Sequence, residues 1–275
     1  MDDSKDVSIV VPTRNSARTL AACLRSIRGQ SIPCELIVVD NKSTDDTVSI
    51  AREWADSVIT QGPERSAQRN AGMRASSGSV VAFIDSDMEL ESEVAEQAVR
   101  LLADGAGGVI VPEYTDGSGY WVGVRRLERS FYDGRDQVEA ARFYRRDLVE
   151  AVGGFDEEMP PGPEDWDLTI RIRSLAPIER TFASIRHDEG TLHYFEACRK
   201  KAYYAPGLIA FSRKHGAGQL ASAFDRPYIR KPWKLAYPHP LLGAGVVALK
   251  AGETAAVAAV VAKARFDKGS GRLAS

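Results

Sequence analysis

Two aspartates separated by one residue, Asp85-Ser86-Asp87, follow the apolar run Val80-Val81-Ala82-Phe83-Ile84. Such a run reads as a strand buried on both faces, so the carboxylates stand at its exit. Residues two apart on an extended chain point the same way. Asp85 and Asp87 can therefore offer hard oxygen ligands to one divalent cation, while the small Ser86 lets a ligand come close. A metal that holds a diphosphate is the chemistry this spacing suits; the plainer reading is a strand that ends in acidic residues. Glu164-Asp165 follows the stiff segment Met159-Pro160-Pro161-Gly162-Pro163 and opens an expected helix, where the helix dipole alone favours carboxylates. Aimed into a cleft, Asp165 is a candidate general base. His187 comes after a β-prone stretch at 181–185 and could complete a metal shell with Asp87, with His193 as the rival.

These groups need a scaffold, and the pattern of apolar residues supplies one. The run Val7 to Val11, closed by Pro12, precedes Leu20, Cys23, Leu24 and Ile27 at helical spacing. Leu36-Ile37-Val38-Val39 ends at Asp40, and Ser43-Thr44-Asp45-Asp46 can cap a helix reaching about Ala55. Val58-Ile59, a helix from Ser66 to Ala75, the strand before Asp85, a helix from Glu91 to Ala103 and Val109 to Val111 continue the alternation. Strands alternating with helices imply an α/β fold with a mostly parallel sheet, Rossmann-like in its nucleotide-binding half. Ligands of such sheets gather beyond the carboxyl ends of the strands, where Pro12 to Asn15, Asp40 and Asp85 to Asp87 all fall. Residues 113–136, rich in Gly, Tyr and Arg, read as a mobile loop before a strand at 138–144. Leu168, Ile172 and Leu175 favour a helix after Asp165, although Leu168, Ile170 and Ile172 would also suit a strand.

Charge divides the 275 residues unevenly. Residues 1–195 carry 22 Lys and Arg against 34 Asp and Glu, a net −12, whereas 196–275 carry 14 against 4, a net +10. The C-terminal part therefore suits an anionic partner. Its basic residues are spread among Tyr203, Tyr204, Trp233 and Tyr237, which fits the headgroup layer of an anionic membrane surface better than nucleic acid. Leu241 to Ala262 is interrupted by Lys250 and Glu253. Each apolar half is too short to cross about 30 Å of hydrocarbon, so the segment reads as interfacial, as a helical hairpin, or as packed on the domain. Cys23, Cys34 and Cys198 have no metal or disulfide spacing, and the acidic start lacks an apolar leader. A cytoplasmic protein, peripheral on the inner face of the cell membrane, is the expectation.

Six blocks in order carry a family resemblance: Pro12-Thr13-Arg14-Asn15; Val39 to Thr47; Ala67-Gln68-Arg69-Asn70-Ala71-Gly72; Asp85-Ser86-Asp87; Gly153-Gly154-Phe155-Asp156; and Glu164 to Leu168. Together they resemble family 2 glycosyltransferases of the GT-A fold, over residues 7 to about 190. The resemblance implies a donor that is a nucleotide-diphosphate sugar (UDP-, GDP- or dTDP-sugar). Pro12, Thr13, Arg14 and Asn15 would line the nucleoside pocket, Asp40 would accept a hydrogen bond from the base, and Arg69 would meet the phosphates. Asp87 would bind Mn²⁺ or Mg²⁺, with Asp85 helping through ribose or water beside Ser86. Asp165 matches the catalytic base, with Glu164 and Trp166 on the acceptor side.

The family's usual acidic pair after the second strand reads Asp40-Asn41-Lys42 here, which leaves the base preference open. The Gln-x-x-Arg-Trp signature of processive synthases is absent, Arg230-Lys231-Pro232-Trp233 being no match, so a single addition is expected. The expected layout is a glycosyltransferase domain at 1–195, divided into a donor half at 7–112 and an acceptor half at 113–195, followed by a basic helical region at 196–275. The expected reaction moves one sugar, with inversion, to an acceptor hydroxyl or phosphate on a lipid-linked molecule, such as a polyprenyl-linked one, or on a membrane-proximal molecule. The alternatives are a soluble small-molecule or protein acceptor, and a nucleotide-sugar-binding protein without turnover. A nucleotidyltransferase would carry a Gly-rich motif after the first strand, and none is present. The oligomeric state is left open.

Overall fold

A computed structural model describes residues 6–132, 134–136, 139–223, 228 and 232–270. In chain order the donor-half elements are β1 (Val7–Thr13), α1 (Ala17–Arg28), β2 (Cys34–Asp40), α2 (Thr47–Trp54), β3 (Ser57–Thr60), α3 (Arg65–Ala75), β4 (Val80–Phe83), β5 (Met88–Leu90), α4 (Val94–Ala103) and β6 (Gly108–Ile110). There follow β7 (Glu113–Ser118), α5 (Tyr120–Ser130), β8 (Ala141–Arg145), α6 (Arg146–Ala151), α7 (Glu164–Arg173), β9 (Ile178–Arg180) and β10 (Ile185–Thr191). The chain continues through α8 (Tyr194–His215), α9 (Ala217–Ala223), α10 (Trp233–Ala236) and α11 (Pro240–Ser270).

The main sheet has the order β3-β2-β1-β4-β8-β6-β9. Its strands run parallel except β8, which is antiparallel to both neighbours. The α/β architecture expected of a GT-A fold is thus present. β1 is buried along its whole length, and α1 turns Leu20, Cys23, Leu24 and Ile27 into the core. Full burial of each such leucine or isoleucine contributes roughly 1.5–3 kcal/mol, enough that their helical spacing dictates which face of α1 meets the sheet.

Two compact units divide the chain. The first holds residues 1–115, 134–158 and 164–188, and with them the main sheet; the second holds 116–133, 159–163 and 189–275. In the second unit, α11 packs on α5 and α8, burying Val246, Leu249 and Glu253. Arg125 of α5 pairs with Glu128 at 2.8 Å and with Glu253 at 2.9 Å, while Lys250 reaches Glu253 at 2.6 Å and also pairs with Glu128. The two charges that interrupt the apolar tail are therefore neutralised by α5. By length and composition 240–263 is long and apolar enough to cross a membrane, yet Lys250 and Glu253 are spent on this network.

Several expectations change. Residues 113–118 and 120–130 are not loop but β7 and α5, because Val122 and Val124 find a buried face that only the folded chain provides. The tail is one continuous helix rather than a hairpin. Short β5 was not foreseen. His187 lies inside β10, opposite Met88, rather than beyond a strand end. The segment after Asp165 is the helix α7, burying Leu168 and Ile172 and leaving Leu175 exposed. Val138, Arg226, Arg230 and Lys231 lie outside the described residues.

Candidate active site

The loops after β1 and β2 are fastened to one another. Asp40, buried at the end of β2, accepts hydrogen bonds from Thr13 Oγ1 (3.1 Å), Ser43 N–H (2.9 Å) and Ser43 Oγ (2.5 Å). The amide of Gln68 on α3 donates to the carbonyls of Thr13 and Val39, joining the two strand ends from beneath. Asn15, at φ +51°, receives the Thr44 N–H on its side-chain oxygen and donates its own N–H to Ser43 Oγ. Pro12 and Thr13 are buried, whereas Arg14 and Asn15 are exposed. Ser86 donates to Ser16 Oγ at 2.9 Å, tying the acidic loop to the start of α1.

Arg69 is the hub. It is fully buried on α3, donating Nη2 to Asp85 Oδ1 at 2.8 Å and Nη1 to Asp165 Oδ1 at 2.6 Å, with Glu164 at 3.3 Å. Its guanidinium lies over the Phe155 ring, 5.2 Å from the centroid, a contact that eases burial of a delocalised cation. Phe155 is placed by Asn70, which accepts the Phe155 N–H and donates to its carbonyl. Gly154 has φ +72°, and a Cβ there would stand 2.6 Å from Asn70 Oδ1, so this turn requires glycine.

A second cation, Arg142 on β8, was not anticipated. Its Nε and Nη2 grip Glu113 Oε1 at 2.9 and 2.6 Å, and Nη1 faces Asp165 Oδ2 at 3.4 Å and Asp85 Oδ2 at 3.6 Å. Neither Arg142 nor Glu113 sits in a motif; only their type, charged residues bordering apolar strands, hinted at a buried role. Burial pushes the Asp85 carboxyl up, but Arg69 and Arg142 outweigh it and hold it well below the usual range. For Asp165 burial dominates, and its carboxyl lies above the ordinary aspartate value despite the same two cations. The two carboxylates between two guanidinia therefore differ in which influence prevails, the cations for Asp85 and burial for Asp165.

Asp87 and His187 are brought together, Oδ2 to Nε2 at 3.3 Å, with His187 Nδ1 3.6 Å from Glu113. Burial lowers the His187 value, but bonding to Asp87 and Glu113 wins and raises it to about 9. Asp85 does not join this pair, since its oxygens face Arg69 and Arg142. Among the described residues no three His, Cys, Asp or Glu side chains cluster to hold a metal, and of the expected Asp85, Asp87 and His187 the structure brings together Asp87 and His187. A carboxylate beside an imidazole is a donor set whose chemistry would suit a divalent cation such as Mn²⁺. His193 is the N-cap residue of α8 in the second unit. Trp166 is half-buried on α7, and Glu164 is buried with Arg65 at 3.0 Å.

Residues 8–154 match the model of glycosyl transferase family 2. The chain belongs to that family. This family 2 chain is 28% identical over 177 residues to glycosyltransferase AglE of Haloferax volcanii, covering 57% of itself and 58% of that protein. It thus spans less than two thirds of this curated relative. Its fold is shared with a mannosyltransferase of Pyrobaculum calidifontis solved with GDP-Man and Mn²⁺ (TM-score 0.62, 20% identity, covering 97% of this chain and 89% of that one). It is shared also with S. aureus TarS 1–349 in complex with UDP-GlcNAc (TM-score 0.59, 18% identity, covering 96% and 92%).

Proposed function

We propose that the protein transfers one sugar from a nucleoside-diphosphate donor to an acceptor hydroxyl or phosphate, with inversion. The observation that carries this reading is the Arg69 hub, which ties the acid at the β4 exit to Asp165 at the start of α7. A donor-side acid and a candidate base then share one rigid frame, as direct displacement at an anomeric carbon requires. The loops holding Thr13, Arg14, Asn15 and Asp40 would receive the nucleoside. Relatives of this fold solved with GDP-Man and with UDP-GlcNAc support a nucleotide sugar as donor. Asp87 and His187 would hold Mn²⁺ or Mg²⁺, Mn²⁺ being the ion present with the mannosyltransferase, and the cation would neutralise the charge that grows on the departing diphosphate. Asp165 would take the acceptor proton, Glu164 and Trp166 standing on its side.

A membrane-proximal, lipid-linked acceptor is the finer reading. It is supported by the basic excess after residue 195 and by exposed Phe195, Tyr203, Trp233 and Tyr237 in the second unit. The test is a thermal-shift screen of UDP-, GDP- and dTDP-sugars with and without Mn²⁺, followed by an assay for released nucleoside diphosphate. A ligand at 100 times its Kd should stabilise the fold by about 2.7 kcal/mol. Stabilisation with release supports a transferase; stabilisation without release under any acceptor leaves a binding protein.

A further inference from the structure

We propose that Arg142, held by Glu113, is a positioning residue that orients the Asp165 carboxylate for proton transfer. The proposal rests on the reading of Asp165 as the base. Arg142 is 8% exposed and lies on β8, between β4 and β6 in the sheet. Its fork is shared: one edge is consumed by Glu113, at 2.6 and 2.9 Å, which leaves Nη1 to face Asp165 Oδ2 and Asp85 Oδ2. Arg69 holds the other oxygen of each acid, Oδ1 of Asp165 at 2.6 Å and Oδ1 of Asp85 at 2.8 Å. Each carboxylate is thereby pinned at two points, so its plane is fixed. The contacts to Asp165 are unequal. Arg69 makes a short, strong bond to Oδ1, whereas Arg142 stands 3.4 Å from Oδ2, leaving that oxygen the weaker-held one and free to accept a proton. Glu113 prevents Arg142 from closing on Asp165, because its carboxylate takes the Nε and Nη2 edge. A buried guanidinium kept at arm's length sets direction without spending the basicity of the carboxylate.

Arg142 should influence turnover through Asp165 more than donor affinity through Asp85, which Arg69 already holds at 2.8 Å against 3.6 Å for Arg142, and the turnover effect should appear only while Asp165 can take a proton. The experiment is a double-mutant cycle, Arg142→Met and Asp165→Asn, in the full chain. It reads nucleoside diphosphate release from UDP-glucose, UDP-N-acetylglucosamine or GDP-mannose with Mn²⁺, water serving as acceptor. Arg142→Met alone should lower kcat by about 10–100-fold with the donor KM within about threefold, and should cost less than about twofold more in the Asp165→Asn background. Arg142→Lys, which keeps charge but cannot span Glu113 and both aspartates, should fall between wild type and Arg142→Met, and it carries the cycle should Arg142→Met not fold. Additive losses, a rise in KM with kcat unchanged, or wild-type kcat would overturn the proposal while leaving the transferase reading in place. No release by the wild-type protein, together with no stabilisation by any UDP-, GDP- or dTDP-sugar with Mn²⁺, would overturn both.

Discussion

At the scale of single residues, the site is a set of acids whose neighbours differ. Asp87 meets His187, while Asp85 meets two guanidinia. Asp87→Asn should therefore weaken Mn²⁺-dependent nucleotide binding at least tenfold with a melting temperature within a few degrees of wild type, as read by calorimetric titration with and without Mn²⁺. Equal metal dependence in that variant would remove Asp87 from the site. His187→Ala should weaken the same binding more than His193→Ala, since it is His187 that pairs with Asp87. The reverse order would transfer the role. Motif residues were legible in the sequence because short, locally spaced groups carry their chemistry with them. Arg142 and Glu113, 29 positions apart, were not, since pairing across that distance is decided by which strands become neighbours.

At the scale of elements, the turn that seats Phe155 under Arg69 depends on Asn70. Asn70→Ala removes a buried bond in each direction with Phe155 and should destabilise the fold by about 1–3 kcal/mol in urea unfolding. A loss below about 0.5 kcal/mol would show that this turn holds itself. The strands β1, β2 and β4 and the helix α1 were readable because each bears an unbroken apolar run or one apolar face. β7 and α5 were not. Glu113 to Ser118 alternates weakly, and the buried face of α5 includes Glu128, whose burial makes sense only once Arg125 and Lys250 surround it. Local pattern fails where a distant helix supplies the partner.

At the scale of the whole molecule, charge and exposure distinguish the second unit. Arg199, Lys200 and Tyr203 are exposed on α8. Arg199→Glu with Lys200→Glu should reduce sedimentation with anionic vesicles about tenfold or more, and wild-type binding should weaken as salt rises. Binding that ignores vesicle charge would make this face an ordinary solvated surface. Lys201 is held to about 8, burial lowering it more than Glu253 raises it. Between that value and its ordinary 10.5 the unfolded chain binds more protons, so this residue's contribution to stability rises with pH across the window and is constant below it. The stability advantage of Lys201→Met over wild type should accordingly shrink from pH 7.5 to 10 in urea titrations; an advantage independent of pH would contradict the assignment.

The most direct test of a site with a donor-binding side and a proton-accepting side is Asp165→Asn. The amide keeps the size of the carboxylate and, through its oxygen, the bond from Arg69, but it gives up the acceptor that faces Arg142 and cannot take a proton. With donor affinity and turnover measured on the same preparation, nucleotide-sugar Kd should stay within about threefold of wild type while kcat falls by about 10²–10⁴-fold. Turnover within a few-fold of wild type would make Asp165 an ordinary acid at a helix start, and loss of donor binding together with turnover would make its role structural.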